Sequence, residues 1–370
     1  MRRTWKGLAV VLTVGAVALS ACGTGRQEAQ PGASGGSSSA AAAGFPKDSL
    51  IGIALPQKTS ENWVLAENLF KTGLGDAGYK FDVQFANAGV TEQQNQISAM
   101  VTKGAKVVVV GAIDGSQLGT QVKQAKDSGA TVIAYDRLLL NTPAVDYYAA
   151  FDNRKVGQLQ GQALLDGMAK KKPNGPYNIE LFAGSPDDAN AKVFFDGAMD
   201  VLKSKIDDGT LKVVSKQTDF KQVVTQGWKA ENAQKRMDTL LSANYTKADL
   251  DGVLSPNDTL ARAILTSVKS AGKPYPIVTG QDSEVESVKS IMAGVQYSTI
   301  DKDTRKLVAK TLEMINSLQT GQEPEVTDTK QYNNGVKVVP ANLLVPVIVT
   351  KENAAEAYKD DPTLGPLTKG

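Results

Sequence analysis

The chain has 370 residues, of which 41% are apolar and 22% are charged, a composition typical of a soluble globular protein of roughly two domains. Lys and Arg number 41 against 39 Asp and Glu, so no strong overall field favours nucleic acid as a partner. The sequence contains no histidine and one cysteine. This excludes Ser-His-Asp and Cys-His catalytic units, His-ligated metal sites, disulfides and Cys-X-X-Cys redox chemistry.

The first residues have the layout of an export signal. Arg2, Arg3 and Lys6 precede an almost continuous apolar run at residues 8–18, which matches the charged and apolar segments of a secretory leader. The run is too short for a typical transmembrane helix. We therefore expect an extracytoplasmic protein.

The leader ends at the sole cysteine. Residues 19–22, Leu-Ser-Ala-Cys, resemble the bacterial lipobox, in which the cysteine is lipidated and becomes the first residue of the mature chain. The segment that follows is rich in Gly, Ala and Ser, a composition typical of a flexible spacer. We expect a lipoprotein signal peptide at residues 1–22, a membrane-anchoring lipid on Cys22, and a tether at residues 23–47.

From residue 50 onward, short β-branched runs alternate with amphipathic stretches, a pattern that predicts strands alternating with helices. Strands are predicted at residues 50–55, 81–86, 106–112, 131–135, 147–151, 177–183, 211–215, 252–255, 276–279, 297–300, 337–339 and 344–349. The clearest helices of the second half are predicted at residues 190–202, 231–243, 259–271 and 304–318.

This alternation predicts an α/β fold with two doubly wound parallel-sheet lobes. The runs at residues 107–110 and 132–134 are apolar on both faces, as expected of a parallel sheet covered by helices on both sides. We assign residues 48–153 and 282–330 to an N-terminal lobe. Residues 154–281 and 331–360 are assigned to a C-terminal lobe, with a ligand cleft at the carboxyl ends of the strands.

Polar clusters follow most of the predicted strands. They lie at residues 57–63, 114–115, 136–137, 152–153, 185–190, 256–258 and 281–282. Any one Asp or Asn in such a position often caps a helix or forms a turn. In a parallel sheet, however, these positions converge on one edge, where carboxylates, amides and guanidinium groups offer paired acceptors and forked donors.

Such a cleft suits an uncharged ligand rich in hydroxyl groups, and a monosaccharide fits best. Trp63 and Trp228 lie in polar surroundings, where an aromatic plane can contact the C–H face of a sugar ring, although partly buried packing is their alternative role. No glycine-rich phosphate loop is present, so no nucleotide cofactor is expected. Glycoside hydrolysis by a pair such as Asp136 and Asp282 stays formally open. Arg137 beside Asp136 disfavours a general acid there, so binding without catalysis is the better interpretation.

Several longer segments resemble a known family. They are residues 134–137 (Ala-Tyr-Asp-Arg), 151–153 (Phe-Asp-Asn), 184–191 (Gly-Ser-Pro-Asp-Asp-Ala-Asn-Ala), 279–282 (Thr-Gly-Gln-Asp) and 334–340 (Asn-Gly-Val-Lys-Val-Val-Pro). Together they resemble the periplasmic sugar-binding proteins of ABC transporters, of the xylose-binding and multiple-sugar-binding type. The resemblance extends over residues 51–349 and implies the type I periplasmic-binding-protein fold, with two lobes joined by a multi-strand hinge.

The resemblance also implies a set of ligand-binding residues: Trp63, Asp136, Arg137, Asn190, Trp228, Asn257, Asp282 and Lys302. One position departs from the family, because Asn62 stands where an arginine is usual. That departure puts the preferred sugar, or its affinity, in doubt.

The implied function is capture of a monosaccharide, such as xylose, glucose, galactose or a similar aldose, by a monomer that delivers it to an ABC permease. The alternative within the family is a sugar receptor for a chemosensory or virulence signalling partner. Repressors of the LacI type share the two-lobe core but need a DNA-binding helix-turn-helix before it. Here a signal peptide and a tether occupy that place.

Overall fold

The structure, a computed structural model, describes residues 44–58 and 60–369. The predicted signal peptide at 1–22, its lipidation site Cys22 and the tether up to residue 43 lie outside these residues. The predicted tether boundary at residue 47 is wrong, because the chain already packs on the body at Phe45. The backbone N–H of Phe45 donates to the Gln319 carbonyl at 3.2 Å, and the Phe45 ring lies 6.4 Å from the Tyr79 ring.

The strands and helices of the described residues alternate as predicted. The strands are β1 (Leu50–Leu55), β2 (Lys80–Phe85), β3 (Val107–Val110), β4 (Thr131–Tyr135), β5 (Tyr147–Phe151), β6 (Tyr177–Leu181), β7 (Leu211–Val213), β8 (Gly252–Leu254), β9 (Ile277–Val278), β10 (Ser298–Asp301), β11 (Ala341–Leu344) and β12 (Val347–Thr350). The helices are α1 (Glu61–Asp76), α2 (Val90–Thr102), α3 (Gly119–Asp127), α4 (Asn153–Lys171), α5 (Ala189–Asp207), α6 (Phe220–Val223), α7 (Ala230–Asn244), α8 (Asp258–Ser270), α9 (Val285–Met292), α10 (Thr304–Gln319) and α11 (Ala354–Ala357). None of the helices in the described part of the chain is long and apolar enough to cross a membrane.

The first lobe is built on a parallel six-stranded sheet of order β11-β5-β4-β3-β1-β2. Alternate residues of β3 enter two different apolar clusters, Val108 and Val110 on one face and Val107 and Val109 on the other. Both faces are therefore covered, as the unbroken apolar run predicts.

The second lobe repeats this arrangement with a parallel four-stranded sheet of order β7-β6-β8-β9. Helices α4 and α5 contact its strands, and apolar residues of α7 and α8 share a cluster with Val253 of β8 and Val278 of β9. In both sheets the chain starts in the second position, moves to the edge and then crosses to the other side, so each sheet has the switch point at which α/β folds bind ligands. The predicted α/β architecture of two doubly wound parallel sheets is confirmed.

Two of the predicted lobe boundaries are wrong. Strand β10, assigned from sequence to the N-terminal lobe within residues 282–330, lies against α4 and pairs with β12, and Ile300 belongs to the core of the second lobe. Strand β11, assigned to the C-terminal lobe within residues 331–360, extends the first sheet beside β5. The chain therefore crosses between the lobes before α4, before α10 and between β11 and β12.

Two predicted strands also differ from the structure. Residues 337–339 form no strand, only an isolated bridge between Asn333 and Val338. The single strand predicted at 344–349 is divided into β11 and β12 by Val345 and Pro346. Proline has no N–H to continue a ladder, and this break is where the chain passes to the second lobe.

Candidate ligand site between the lobes

A cavity of about 620 Å³, its mouth included, lies between the lobes at the carboxyl ends of the strands. All eight residues predicted to bind ligand line it: Trp63, Asp136, Arg137, Asn190, Trp228, Asn257, Asp282 and Lys302. Two of the seven predicted polar clusters, at residues 114–115 and 152–153, contribute no residue to this wall. Asp114 turns back to accept from Ser116, and Asp152 caps α4 by accepting from the Lys155 N–H. These two carboxylates therefore form a turn and a helix cap, which are the alternative roles considered for such residues. Ligand binding by the eight stays a prediction.

The backbone at Asp136 is fixed from both lobes. This residue follows β4 with a φ of 59°, a left-handed conformation that Asp tolerates better than most residues. Its carbonyl accepts from the Tyr148 hydroxyl at 2.6 Å and from the Asn190 side chain of α5 at 2.8 Å. The turn is thereby held in a position that brings Asp136 to the cavity wall.

Arg137 forms a buried ion pair across the lobes. Its Nε lies 3.0 Å from Oδ2 of Asp188, although the N–H is not directed at that oxygen, so the contact is an ion pair without a good hydrogen bond. Its NH1 donates to the Ala112 carbonyl at 3.1 Å, and the guanidinium lies 5.2 Å from the Trp63 ring centre. Burial raises the pKa of Asp188, against the lowering effect of Arg137. The Trp228 indole N–H also donates to Asp188, at 3.1 Å.

Lys302 joins the two predicted ligand carboxylates. Its Nζ lies 3.1 Å from Oδ1 of Asp282 and 3.9 Å from Oδ1 of Asp136, and 5.4 Å from the Phe194 ring centre. Burial lowers the pKa of Lys302, but Asp282 and Asp136 raise it by more, so the net direction is upward. A cation from the segment between the lobes therefore connects a carboxylate of the first lobe to one of the second.

The Asp282 turn depends on a buried carboxyl group behind it. Asp282 and Ser283 have φ angles of 94° and 54°, and such conformations persist only where surrounding contacts fix them. Asp258, fully buried, accepts from the Glu284 N–H at 3.0 Å and from the Thr299 hydroxyl at 2.9 Å. Burial, followed by the nearby Glu284 and Asp282, raises the pKa of Asp258 well above its usual range. Asp258 lies outside the cavity wall and positions the turn that carries Asp282.

Two amides of the cavity wall also have structural roles. Oδ1 of Asn257 accepts from the Leu260 N–H at 3.0 Å and caps α8. Oδ1 of Asn190 accepts from the Asn153 side chain at 3.0 Å. What these amides offer to a ligand is therefore mainly N–H donors.

The rings of the two cavity tryptophans lie against glycines. A methyl group added at Gly111 would lie 3.2 Å from the Trp63 ring, and one added at Gly184 would lie 2.1 Å from the Trp228 ring. Trp228 also has a left-handed φ of 55°. The absence of a side chain at these glycines therefore sets the depth at which each ring can lie.

We expect Gly184→Ala to lower the free energy of unfolding by about 1–3 kcal/mol, because the Trp228 ring must move out of a packed position. Thermal or urea unfolding measures the change. Gly75→Ala is the matched control, since a methyl group there meets only the Phe81 ring at 3.7 Å. Equal stability of the two variants would contradict the proposed packing.

Asp301, the last residue of β10, gives a prediction about pH. Burial, with Asp303 nearby, raises its pKa to about 6, above the value of about 3.9 for an unfolded chain. The folded state then holds the proton more tightly, so its stability falls as pH rises through the interval between these two values. We expect Asp301→Asn to raise the free energy of unfolding by about 1–3 kcal/mol at pH 8 and by little at pH 4. Urea unfolding at both pH values tests this, with the exposed Asp360→Asn as control. A stabilisation that is the same at both would contradict it.

Among the residues of the cavity wall that sequence reasoning did not select are Asp188, Phe194 and Gln281. Asp188 and Gln281 belong to predicted polar clusters, but nothing in the sequence ranked them above their neighbours. Oε1 of Gln281 is buried and has no hydrogen-bond partner among the described residues. Phe194 lies four residues after Asn190, one helical turn further along the same face of α5, and that spacing is the signal that could have identified it.

Comparison with known proteins agrees with this geometry. Residues 51–323 match the family model for the periplasmic binding protein domain. The chain is 53% identical over 308 residues to the multiple sugar-binding periplasmic receptor ChvE of Rhizobium radiobacter, covering 82% of this chain and 87% of that protein. It is 37% identical over 320 residues to the D-xylose-binding periplasmic protein of Escherichia coli K12, covering 86% and 92%.

A solved structure gives the same result for the fold. The chain superposes with a TM-score of 0.82 and 40% identity on an ABC transporter solute-binding protein from Clostridium phytofermentans with bound β-D-glucose, covering 85% of this chain and 98% of that one. The type I periplasmic-binding-protein fold implied by the sequence resemblance is thus confirmed. With two lobes, an interlobe cavity and these relatives, the chain belongs to the periplasmic binding protein family.

Proposed function

We propose that this protein binds an aldose monosaccharide, such as xylose, glucose or galactose, in the cavity between its lobes. The observation that carries the proposal is the meeting of Asp136 and Asp282 from opposite lobes at Lys302. Carboxylates accept hydrogen bonds from sugar hydroxyls, and the ammonium group donates to their oxygens. Three aromatic rings in the same wall, those of Trp63, Phe194 and Trp228, can cover the apolar faces of the ring.

Binding proceeds without catalysis in this proposal. A glycosidase needs one carboxyl group that donates a proton and a second that attacks or activates water. Asp136 and Asp282 are instead both salt-bridged to Lys302, an arrangement suited to accept hydrogen bonds. Names of the relatives, which describe binding proteins and receptors, agree with this assignment.

Delivery to an ABC permease completes the proposal, with the closed pair of lobes as the form that the permease recognises. The mouth of the cavity is closed by two hydrogen bonds between the lobes, from the Asn62 side chain to the Asp282 carbonyl at 3.2 Å and from the Val285 N–H to Glu61 at 3.0 Å. A sugar must enter while these bonds are open. A ligand that contacts both walls then favours closure by its higher affinity for the closed state.

Titration calorimetry and thermal unfolding with a panel of pentoses and hexoses test the binding proposal. A sugar at about 100 times its Kd should raise the free energy of unfolding by about 2.7 kcal/mol. Tryptophan fluorescence gives a second readout, because Trp63 and Trp228 are two of three tryptophans in the chain. A panel in which no aldose changes either signal would contradict the proposal.

We also propose that the protein works as a monomer outside the cytoplasm, attached to the cell membrane by a lipid on Cys22. The order of charged segment, apolar run and lipobox in the sequence supports this. In the producing bacterium the wild-type protein should fractionate with membranes, and Cys22→Ala should lose the lipid mass and leave the membrane fraction. Retention of the variant in that fraction would contradict the anchor.

A further inference from the structure

The charges of the cavity wall are not balanced. Among the described residues, three carboxylates line the cavity, from Asp136, Asp188 and Asp282, against two cations, from Arg137 and Lys302. The wall therefore carries one more carboxylate than cation.

Both cations of the wall are already paired with protein carboxylates. Arg137 is paired with Asp188 at 3.0 Å. Lys302 lies 3.1 Å from Asp282 and 3.9 Å from Asp136. A ligand carboxylate that contacted either cation would share it with a protein carboxylate that already neutralises its charge, so the net attraction would be small in a wall with one carboxylate in excess.

The groups around the cavity do not compensate this excess of carboxylate. Behind the wall, Glu284 is paired with Arg262 at 2.6 Å, whereas Asp258 accepts hydrogen bonds only from neutral groups such as Gln296 and Thr299. At the mouth, Glu61 accepts from a backbone N–H. Arg262 is already paired, and the pKa of Asp258 is raised well above its usual range, so these surroundings leave the excess carboxylate of the wall uncompensated. Like charges repel more strongly in a buried, low-dielectric site than in water, and that excess therefore disfavours an anion.

Asn62 is the position at which this balance can be changed. It lies in the first turn of α1 and lines the cavity, and its amide donates to the Asp282 carbonyl across the mouth. An amide satisfies that hydrogen bond without adding charge. A cation here would offset the excess carboxylate of the wall.

We propose that this cavity selects neutral aldoses and rejects their uronic acid counterparts through the excess carboxylate of its wall, and that the uncharged Asn62 is the residue that sets this selectivity. The inference rests on the proposed function, since it concerns the sugar class taken by the same site. It assigns the exclusion to charge rather than to the size of the substituent at C6.

Three ligands separate charge from size: D-glucose, D-glucuronate and D-glucuronamide, the last being a neutral analogue of the uronate with nearly the same shape. Calorimetry at pH 7.5 should give a Kd for D-glucuronate at least about 100 times that for D-glucose, with D-glucuronamide within about tenfold of D-glucose. Equal affinity for D-glucuronate and D-glucose would overturn the inference. Equal rejection of the amide and the uronate would overturn it too, because the exclusion would then be steric. If D-glucose itself gives no heat, the same comparison is made with D-galactose, D-galacturonate and the neutral amide of D-galacturonate.

The variant Asn62→Arg gives an independent test. It should reduce the ratio of the uronate Kd to the aldose Kd by at least about tenfold, whereas the matched variant Asn62→Gln, longer but uncharged, should leave this ratio near the wild-type value. Circular dichroism checks that both variants fold. An unchanged ratio in a folded Asn62→Arg would contradict the role of Asn62. Absence of binding by every neutral aldose would instead contradict the proposed function, and this inference would fall with it.

Discussion

Replacing Asp136 by Asn should weaken aldose binding by at least about 100-fold, since hydrogen bonds to a charged acceptor contribute about 1.5–3 kcal/mol each. The substitution removes the negative charge and turns one acceptor oxygen into a donor. Asn also tolerates the left-handed φ of 59° at this position, and the carbonyl that accepts from Tyr148 and Asn190 is unchanged. The backbone of the site should therefore be preserved.

Titration calorimetry with the best aldose of the panel measures the loss, and the melting temperature of the ligand-free variant should stay within about 3 °C of wild type. The control is Asp114→Asn, a carboxylate that also follows a strand of the first sheet but turns toward Ser116 and should bind sugar normally. Normal aldose affinity in Asp136→Asn would contradict a ligand-binding role for this carboxylate. Equal losses in both variants would point to a general effect on the lobe.

Replacing Arg137 by Met should lower the free energy of unfolding by about 3–5 kcal/mol, the range for breaking a buried ion pair by removing one partner. Met retains much of the apolar packing against Trp63 but leaves Asp188 buried without its counter-charge. Burial already raises the pKa of Asp188, and Arg137 opposes this rise. The loss should therefore be larger at pH 8 than at pH 5, where the stranded carboxyl group takes up a proton more readily.

A double variant separates the cost of leaving Asp188 without its counter-charge from the cost of lost packing. Asn at position 188 can still accept the N–H that Asp188 accepts in capping α5, so Arg137→Met with Asp188→Asn should regain at least half of the stability lost in the single variant. Urea unfolding of the wild type, both single variants and the double variant gives the coupling energy. Additive losses would show that Arg137 contributes through packing rather than charge.

The sequence predicted local structure more reliably than the partners of each strand. Strand β1 was predicted at its observed bounds, because a short apolar run between turn residues is a local signal. The position of β11 in the first sheet depends on contact with β5, nearly 200 residues earlier in the chain, and no local pattern records that pairing. Pro346 was visible in the sequence, and its missing N–H could have divided the strand predicted at 344–349.

The predicted polar clusters meet at the cavity because parallel sheets place the residues after each strand at one edge, whereas ligand binding by the eight residues that the resemblance implies stays a prediction. The same rule failed for Asp114 and Asp152, where a turn and a helix cap take the carboxylate. Asn257 shows that the two roles coexist, since it caps α8 with its oxygen and lines the cavity. The burial of Asp188, and the lack of a hydrogen-bond partner for the Gln281 oxygen within the described part of the chain, depend on tertiary packing, which composition and spacing do not encode.

The chain passes between the lobes three times, so the first lobe is not one continuous segment that can be expressed alone. A fragment that stops at residue 153 lacks β11, so the edge of β5 with its row of backbone N–H and C=O groups is left bare. It also lacks α10, whose Leu307 and Ile315 belong to the core on one face of the first sheet. The N-terminal segment alone therefore lacks part of the sheet and core of the first lobe, and expression of that lobe by itself requires a rearranged gene in which residues 304–344 are fused directly to it.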